Sequence, residues 1–537
     1  MADLVILNAK VWTGNRTQMW AEAVAVCGDR VIAVGSNTDV RSLVGAHTRV
    51  VEARGRLILP GFNDAHVHFV SGGLTLAGLE LRSARDETDF AERIRQFAAR
   101  VPKGKWITGG RWDHESWPSR RRPTREMGDA AAPDHPVFLK RIDGHIGVAN
   151  SLALRLAGIT KDTPEPAGGV IERDPQTGEP TGILIDSALG LMSKAVPEPT
   201  LADRVAAARA ATRHAARLGV TSVHSPVNAE DFRALQTLRQ KGELLTRVYA
   251  MPGVNLREQM HAIGLRSGFG DSMLRFGAVK MFADGSLGAG SALFFEPYDD
   301  APATCGVAIY PEEELCRIVE ETDRFGLQIA LHAIGDKAVH WALNAFERAI
   351  RRNGERDARH RIEHAQTVQP PDRSRFARLG VIASIQPCHC VDDMRWAANR
   401  LGKRCQFAYP FRSLLNARAK VALGTDWPVE PLDPMLGLHA AVTRESPHGG
   451  PPGGWYPDEK VTLEQAIEGY TLGSAYAEFQ EDQKGSLEAG RLADMVMLSQ
   501  NLFATAPAEI LNTKIVMTIV GGRIVYDREL DSKPKSE

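Results

Sequence analysis

The sequence predicts an α/β protein: a closed (β/α)₈ barrel of the TIM type with a large insertion after its first strand, plus a small β-sandwich built from both termini. Three observations carry this expectation. The two ends are rich in short β-like bursts, the chain from about residue 200 onward alternates strand and helix patterns, and polar residues recur at the ends of the predicted strands.

Residues 3–57 contain "LVILNAKVWT", "AEAVAVCGDRVIAVG" and "TRVVEARGRLIL", separated by Gly, Asn and Asp turns. The far end repeats the style in "ADMVMLSQN" and "IVMTIVGGRIVYD". Chain ends lie close together in many compact proteins, so residues 1–57 and 480–537 are expected to form one sheet domain around a barrel of residues 58–479. The first barrel strand is read in "LPGFNDAHVHF". After it, roughly residues 70–200 form the expected insertion, in which "GGVIERDPQTGEPTGILID" reads as a hairpin about a Pro-Gln-Thr-Gly turn.

Leu201, Val205, Ala208, Ala211, Ala215 and Leu218 follow at steps of three and four, which is helical spacing, and Gly219 supplies the expected C-terminal stop. Seven further strand candidates follow: "VTSVHSP", "TRVYAMPG", "RFGAVKMFADG", "LQIALHAIGD", "RIEHAQ", "VIASIQPCH" and "KVALGTDWP". Helix patterns such as "EEELCRIVEETDRFG" and "DKAVHWALNAFERAIR" fill several of the gaps. Eight strands alternating with helices match a closed barrel, and an open doubly wound sheet fits the same alternation. Thr462 and Gln465 have the spacing of a capping box for a late helix.

The 537 residues are 43% hydrophobic and 24% charged, with a formal net charge of −1. That balance offers no basic surplus for nucleic acid or anionic lipid, so a small-molecule substrate is the expected partner. Six irregularly spaced cysteines argue against a disulfide framework. The N-terminus does not read as a secretion leader, and no apolar run approaches the roughly 20 residues that span a bilayer. A cytoplasmic location without membrane association is therefore expected. Oligomeric state is not encoded in such a reading, and a homodimer is compatible with it.

A strand sends residues i and i+2 to the same face, so His66 and His68 in "GFNDAHVHFV" can share one ion. Lys280 in "AVKMFADG", His332 in "ALHAIGD", His364 in "RIEHAQ" and Asp426 in "LGTDWP" fall at later strand ends. In a (β/α)₈ barrel those ends meet at one rim, so ligands scattered in sequence become neighbours. Imidazole and carboxylate ligands suit zinc and similar ions.

"PGFNDAHVHF", "VKMFADGSLG", "LHAIGD", "RIEHAQ", "GTDWPV" and "KGSLEAGRLADMVML", in that order, resemble the amidohydrolase superfamily. Within it the likeness is to amidohydrolase family 3, the YtcJ-like branch that includes N-substituted formamide deformylases. The resemblance implies a binuclear centre, with two zinc ions per chain. His66, His68 and Asp426 would hold one ion and His332 and His364 the other, with Lys280 bridging both as a carbamate formed from CO₂. The carbamate has a physical rationale: an ammonium beside two divalent cations is unfavourable, whereas a carbamate offers one oxygen to each. Desolvation and neighbouring cations free the neutral amine that CO₂ requires.

The implied reaction is hydrolysis of a non-peptide C–N bond, of the amide or formamide type, by a metal-activated hydroxide. Asp426 is then the catalytic base that carries a proton to the departing nitrogen. Deamination, lactone or ester hydrolysis on the same barrel, or ligand binding without turnover, are the alternatives. Around the centre, Asp336 is expected either to orient His332 or to cap the following helix. His145, Trp112 and Asp113 in the insertion, and His389 in "PCHC", are expected to face substrate. Asp284 is expected there too, unless it pairs with an unmodified Lys280. His224 is expected to pack or to face substrate rather than bind metal, and "PCHC" lacks the second cysteine pair of a structural zinc site.

Overall fold

The structure is a computed structural model that describes residues 1–114, 117–141, 146–166 and 169–531. It divides into two compact units, one of Met1–Val70 with Ala211–Glu537 and one of Ser71–Ala210.

The larger unit contains the barrel. Its strands are β1 (Phe62–Asp64), β2 (Val220–Val227), β3 (Arg247–Pro252), β4 (Val279–Phe282), β5 (Ile329–Ala333), β6 (Arg361–His364), β7 (Ile382–Ile385) and β8 (Lys420–Leu423). β1, β2 and β3 pair in parallel, and β4 to β8 form a second parallel run. A bridge from Gly253 to Lys280 joins β3 to β4. The ring closes where Ala65 N–H donates to the Leu423 carbonyl at 2.9 Å. All eight strands are therefore parallel and closed, and the open-sheet alternative is set aside. Most strand residues are buried on both faces, as parallel strands under helices must be.

The helices follow the same logic. Ala338, Val339, Ala342, Leu343, Ala345, Phe346 and Ala349 form the buried stripe of Asp336–Asn353, which ends at Gly354 with φ +90°. Helix Leu201–Arg217 is present, and Gly219 beyond it takes φ +75°. Its buried stripe starts later than the spacing implies, because Leu201 is 42% exposed while Ala208, Ala211 and Ala215 are buried. The capping box forms as expected: Thr462 Oγ1 accepts from Gln465 N–H, and the Gln465 side chain accepts from Thr462 N–H.

Both chain ends contribute to the sheets beside the barrel. Leu4–Leu7 pairs with Ala23–Cys27 and Arg49–Glu52 in one sheet of four strands. In a sheet of six, Leu57–Pro60 pairs antiparallel with Met495–Leu498. A single apolar cluster includes Leu4, Ile6 and Val26 from the first sheet and Ile58, Met497 and Ile519 from the second.

The smaller unit is built on a six-stranded mixed sheet. Its hairpin pairs Gly169–Arg173 with Pro180–Asp186 about the expected turn. Its core gathers Phe90, Ile94, Trp112, Trp117, Leu139 and Val148. Among the described residues no helix is long and apolar enough to cross a membrane, and all six cysteines are free.

Candidate metal centre

The closing seam of the barrel makes the first half of the site. Beyond β8 the chain keeps pairing with the segment after β1: Asp426 N–H donates to the His66 carbonyl at 2.7 Å, and His68 N–H donates to the Trp427 carbonyl at 2.6 Å. This brings His66 Nε2 to 3.5 Å and His68 Nε2 to 3.3 Å from Asp426 Oδ1. Asp64 pins the two segments together. Its Oδ1 accepts from the backbone N–H of His66 (3.1 Å) and Thr425 (3.0 Å), and its Oδ2 accepts from the Thr425 hydroxyl at 2.6 Å. Burial pushes the Asp64 carboxyl up to about 7 despite those bonds.

The other half comes from β4, β5 and β6. Register pairs Phe282 with His332 and Ala333 with His364, so the two imidazoles stand side by side with ring centroids 4.5 Å apart. His364 (φ +74°) and Asp426 (φ +58°) adopt left-handed backbone, which costs a non-glycine residue about 1–2 kcal/mol. Both are held there by the surrounding structure at the point where they enter the site. Lys280 departs slightly from the expectation: it is the second residue of β4, not its end, and starts lower in the barrel. Its long side chain still reaches the cavity that His66, His68, His332, His364 and Asp426 line.

His66 with His68 and Asp426, and His364 with His389 and Asp426, form two groups of ligand atoms, each within a span of 4.8 Å, that share Asp426. The residues fit a metal on a direct test: Lys280 Nζ, His364 Nδ1, His389 Nε2 and Asp426 Oδ1 are buried without hydrogen-bond partners, and His66 Nδ1 has only its ion-pair contact with Glu363. Buried polar atoms are nearly always paired, so four such atoms in one cavity mark a place for a ligand. The electrostatics agree. Burial, with Lys280 nearby, lowers His66 to about 4, and the same two causes lower His332 to about 3, so both are neutral and able to donate a lone pair. Burial also lowers Lys280 to about 8, against the pull of Glu363 and Asp426. Burial would raise Asp426, but His68 and the surrounding imidazoles hold it ionised, well below the usual range.

The remaining expectations separate. His389 lines the cavity with its Nε2 3.7 Å from Asp426 Oδ2; it sits in a short helix, Pro387–Asp393, that follows β7. Asp284 is not among the cavity's lining residues; its carboxylate accepts backbone N–H groups of Leu293, Ile334 and Gly335 at 2.8–3.1 Å, and its Oδ1 stands 3.6 Å from His332 Nε2. Asp336 neither orients His332 nor caps by side chain. It accepts from Phe295 N–H at 3.0 Å and Gln369 Nε2 at 2.6 Å, while His332 Nε2 meets the Gly285 carbonyl at 3.1 Å. Trp112 is fully buried and donates its indole N–H to the Leu139 carbonyl at 2.9 Å, a core role in its own unit. Asp113 pairs with Arg141 at 3.1 Å, and His145 lies outside the described residues. His224 is packed, between Arg361 (2.7 Å) and Glu478 (3.2 Å). Cys388 and Cys390 are buried free thiols, with Cys390 pushed up to about 12 by burial.

Sequence reasoning missed Asp64 and Glu363. Asp64 stands two residues before His66, and Glu363 beside His364, with its Oε2 2.6 Å from His66 Nδ1. A charged residue inside an apolar barrel strand was the available signal in both cases.

A family model described as the amidohydrolase family matches residues 49–526. The chain belongs to that family. It is 33% identical over 527 residues to the putative amidohydrolase YtcJ of Bacillus subtilis, covering 96% of this chain and 97% of that one. It is 30% identical over 547 residues to the N-substituted formamide deformylase of Arthrobacter pascens, covering 98% and 99%. The crystal structure of an uncharacterized metal-dependent hydrolase from Pyrococcus horikoshii OT3 matches with a TM-score of 0.78 at 31% identity, over 94% of this chain and 99% of that one. The expected family is thus borne out, and with it a TIM-barrel-type fold.

Proposed function

We propose that this amidohydrolase is a metal-dependent hydrolase of a non-peptide C–N bond in a small molecule, an N-substituted formamide or a related amide. The observation that carries the reading is the set of buried, partnerless atoms on Lys280, His364, His389 and Asp426 in the cavity lined by His66, His68 and His332. The similarity to an N-substituted formamide deformylase over nearly its whole length supports the choice of bond.

Two divalent ions, zinc by ligand type, would be held by His66, His68 and Asp426 and by His332 and His364. Lys280 would bridge as a carbamate, its neutral amine adding to CO₂ with loss of one proton. When bound, such ions lower the pKa of water toward about 7 and polarise a carbonyl. The chain's own groups do the rest. The Asp426 carboxylate takes the proton of the attacking water and delivers it to the amide nitrogen, which cannot leave as an anion. His389 Nε2–H donates to the substrate carbonyl and fixes its direction.

Phe282, Leu287, Ile334, Trp396 and Val429 wall a cavity of about 370 Å³. No arginine is among its described lining residues, while Asp392, Asp393 and Glu430 are. That lining suits a neutral amide with an apolar substituent better than a carboxylate-bearing one. In the same reading the two terminal sheets, residues 1–57 and 480–537, form a β-sandwich, and residues 70–200 are an insertion into the barrel.

Stripping the protein with a chelator, restoring Zn²⁺ and bicarbonate, and screening formamides, acyl amines, cyclic amides, lactones and aminated heterocycles tests the reading. Formamide or amide turnover that returns with two ions per chain is expected. Turnover confined to aminated heterocycles with one ion replaces this reading by a deaminase, and full turnover by the stripped protein ends it.

A further inference from the structure

The barrel interior beneath the centre is charged, and the charges are matched. Arg361 and Glu363 are fully buried on β6. Glu363 Oε1 accepts from Arg361 Nε at 2.5 Å, and its Oε2 accepts from Arg361 Nη2 at 3.0 Å and from the Ser384 hydroxyl at 2.9 Å. The same Oε2 stands 2.6 Å from His66 Nδ1. A carboxylate only accepts, and an imidazole lone pair aimed at it would be repelled. The contact is close but not aligned as a formed hydrogen bond; a proton on Nδ1 is the arrangement that makes it attractive, and in neutral His66 that leaves the lone pair on Nε2. That atom faces Asp426.

Arg361 holds more than the carboxylate. Its Nη2 also donates to the Ala65 carbonyl at 2.6 Å, on the residue before His66, and its Nη1 contacts His224 Nδ1 at 2.7 Å. Guanidinium has no lone pair to offer, so His224 accepts on Nδ1 and donates from Nε2 to Glu478 Oε1, 3.2 Å away. Glu478 Oε1 is in turn paired with Lys484 Nζ and accepts from Asn63 Nδ2, each at 2.7 Å. One guanidinium thus fixes the orientation of the His66 ring and the backbone that carries it.

We infer that Glu363 is a positioning residue for the metal centre: through its contact with Nδ1 it locks His66 in the tautomer and orientation that present Nε2 as a ligand, and Arg361 locks Glu363. The inference rests on the metal-centre reading above. Carboxylates behind a ligating histidine set its tautomer and raise its basicity, and their loss costs about 10–100-fold in metal affinity. Neither Glu363 nor Arg361 needs to touch substrate for this role.

The test compares the full-length wild type with Glu363→Ala and Glu363→Gln, using Zn²⁺ affinity from competition with a chromogenic chelator and the absorption spectrum of the Co²⁺-loaded protein. Glu363→Ala is expected to bind Zn²⁺ about 10–100-fold more weakly, with an altered Co²⁺ spectrum. Glu363→Gln, whose amide oxygen can still accept from Nδ1–H, is expected to recover part of the affinity and spectrum. Glu363→Ala leaves Arg361 buried without its partner, so the double variant Arg361→Met with Glu363→Leu, which removes both charges, guards against simple unfolding. It should unfold cooperatively without metal yet keep the weakened affinity. Wild-type affinity and spectrum in a folded variant lacking Glu363 would overturn the inference alone. A wild-type chain that takes up no divalent ion would overturn the metal-centre reading with it.

Discussion

Gly424 shows how tightly individual residues constrain the centre. A Cβ built there would stand 2.6 Å from His66 N and 2.8 Å from Asp64 Oδ1, the oxygen that also accepts from Thr425 N–H and so ties the two ligand segments together. Gly424→Ala is therefore expected to cost about 1–3 kcal/mol, the range for overpacking, and to weaken Zn²⁺ binding as well. Urea unfolding and chelator competition measure the two effects. Asp426→Asn should fold normally but lose about 10²–10⁴-fold in turnover, because the amide cannot accept and return the proton; steady-state kinetics on the best substrate of the panel decides it. Lys280 gives a prediction with a defined sign. The unfolded chain keeps its proton up to 10.5 and the folded chain only up to about 8. Between those values the unfolded state binds more protons, so the stability of the metal-free, CO₂-free protein rises with pH there, and below about 8 the burial penalty is fully present. The stability of wild type relative to Lys280→Met, from urea unfolding at a series of pH values, should climb across that window; a flat difference would rule this out. The residues that sequence singled out by chemistry at a strand end, His66, His68, His332, His364 and Asp426, all line one cavity. Roles set by packing direction could not be read that way. Asp336 and Trp112 bond to Phe295 and Leu139, and Asp284 bonds to Leu293 while its Oδ1 stays 3.6 Å from His332 Nε2.

At the scale of elements, hydrophobic pattern and turn chemistry located all eight strands, because a parallel strand buried on both faces leaves an apolar run with abrupt polar ends. What escaped was depth. Lys280 reads as a strand end but lies inside β4, since register, which sequence does not state, pairs it with Ala330 two residues before His332. His389 reads as the end of β7 but belongs to the helix Pro387–Asp393, and Pro387 at its first position was the signal for that helix. The late helix Leu463–Glu468 was legible to the residue through its capping box. Thr462→Ala removes one side-chain acceptor and should cost about 1 kcal/mol, lowering the urea midpoint. Zn²⁺ affinity should not change, because none of the proposed ligands belongs to this helix. A loss of metal along with stability would instead tie the helix to the centre.

For the whole molecule, composition said little about architecture, while the pairing of distant ends depends on partners that no local pattern names. Leu57–Pro60 lies against Met495–Leu498, and Arg247 on β3 meets Asp494 in a buried two-bonded pair at 2.6 and 2.8 Å. The centre adds a different kind of long-range tie. Its proposed ligands come from segments that end about 360 residues apart in the chain, so only the closed barrel assembles them. An ion that binds the folded state and not the unfolded chain stabilises by RT ln(1 + [ion]/Kd), about 2.7 kcal/mol when free ion is a hundred times Kd. The partnerless atoms of the proposed ligands Lys280, His364 and Asp426 make the metal-free barrel the state that bears the desolvation cost. Thermal unfolding in zinc buffers should therefore show a midpoint that rises with the logarithm of free Zn²⁺. Two ions released on unfolding give twice the slope in free energy that one gives, so the same titration counts them. A midpoint that stays fixed while ions are demonstrably bound would mean that the unfolded chain holds them equally well, and the preformed centre would then have no thermodynamic meaning.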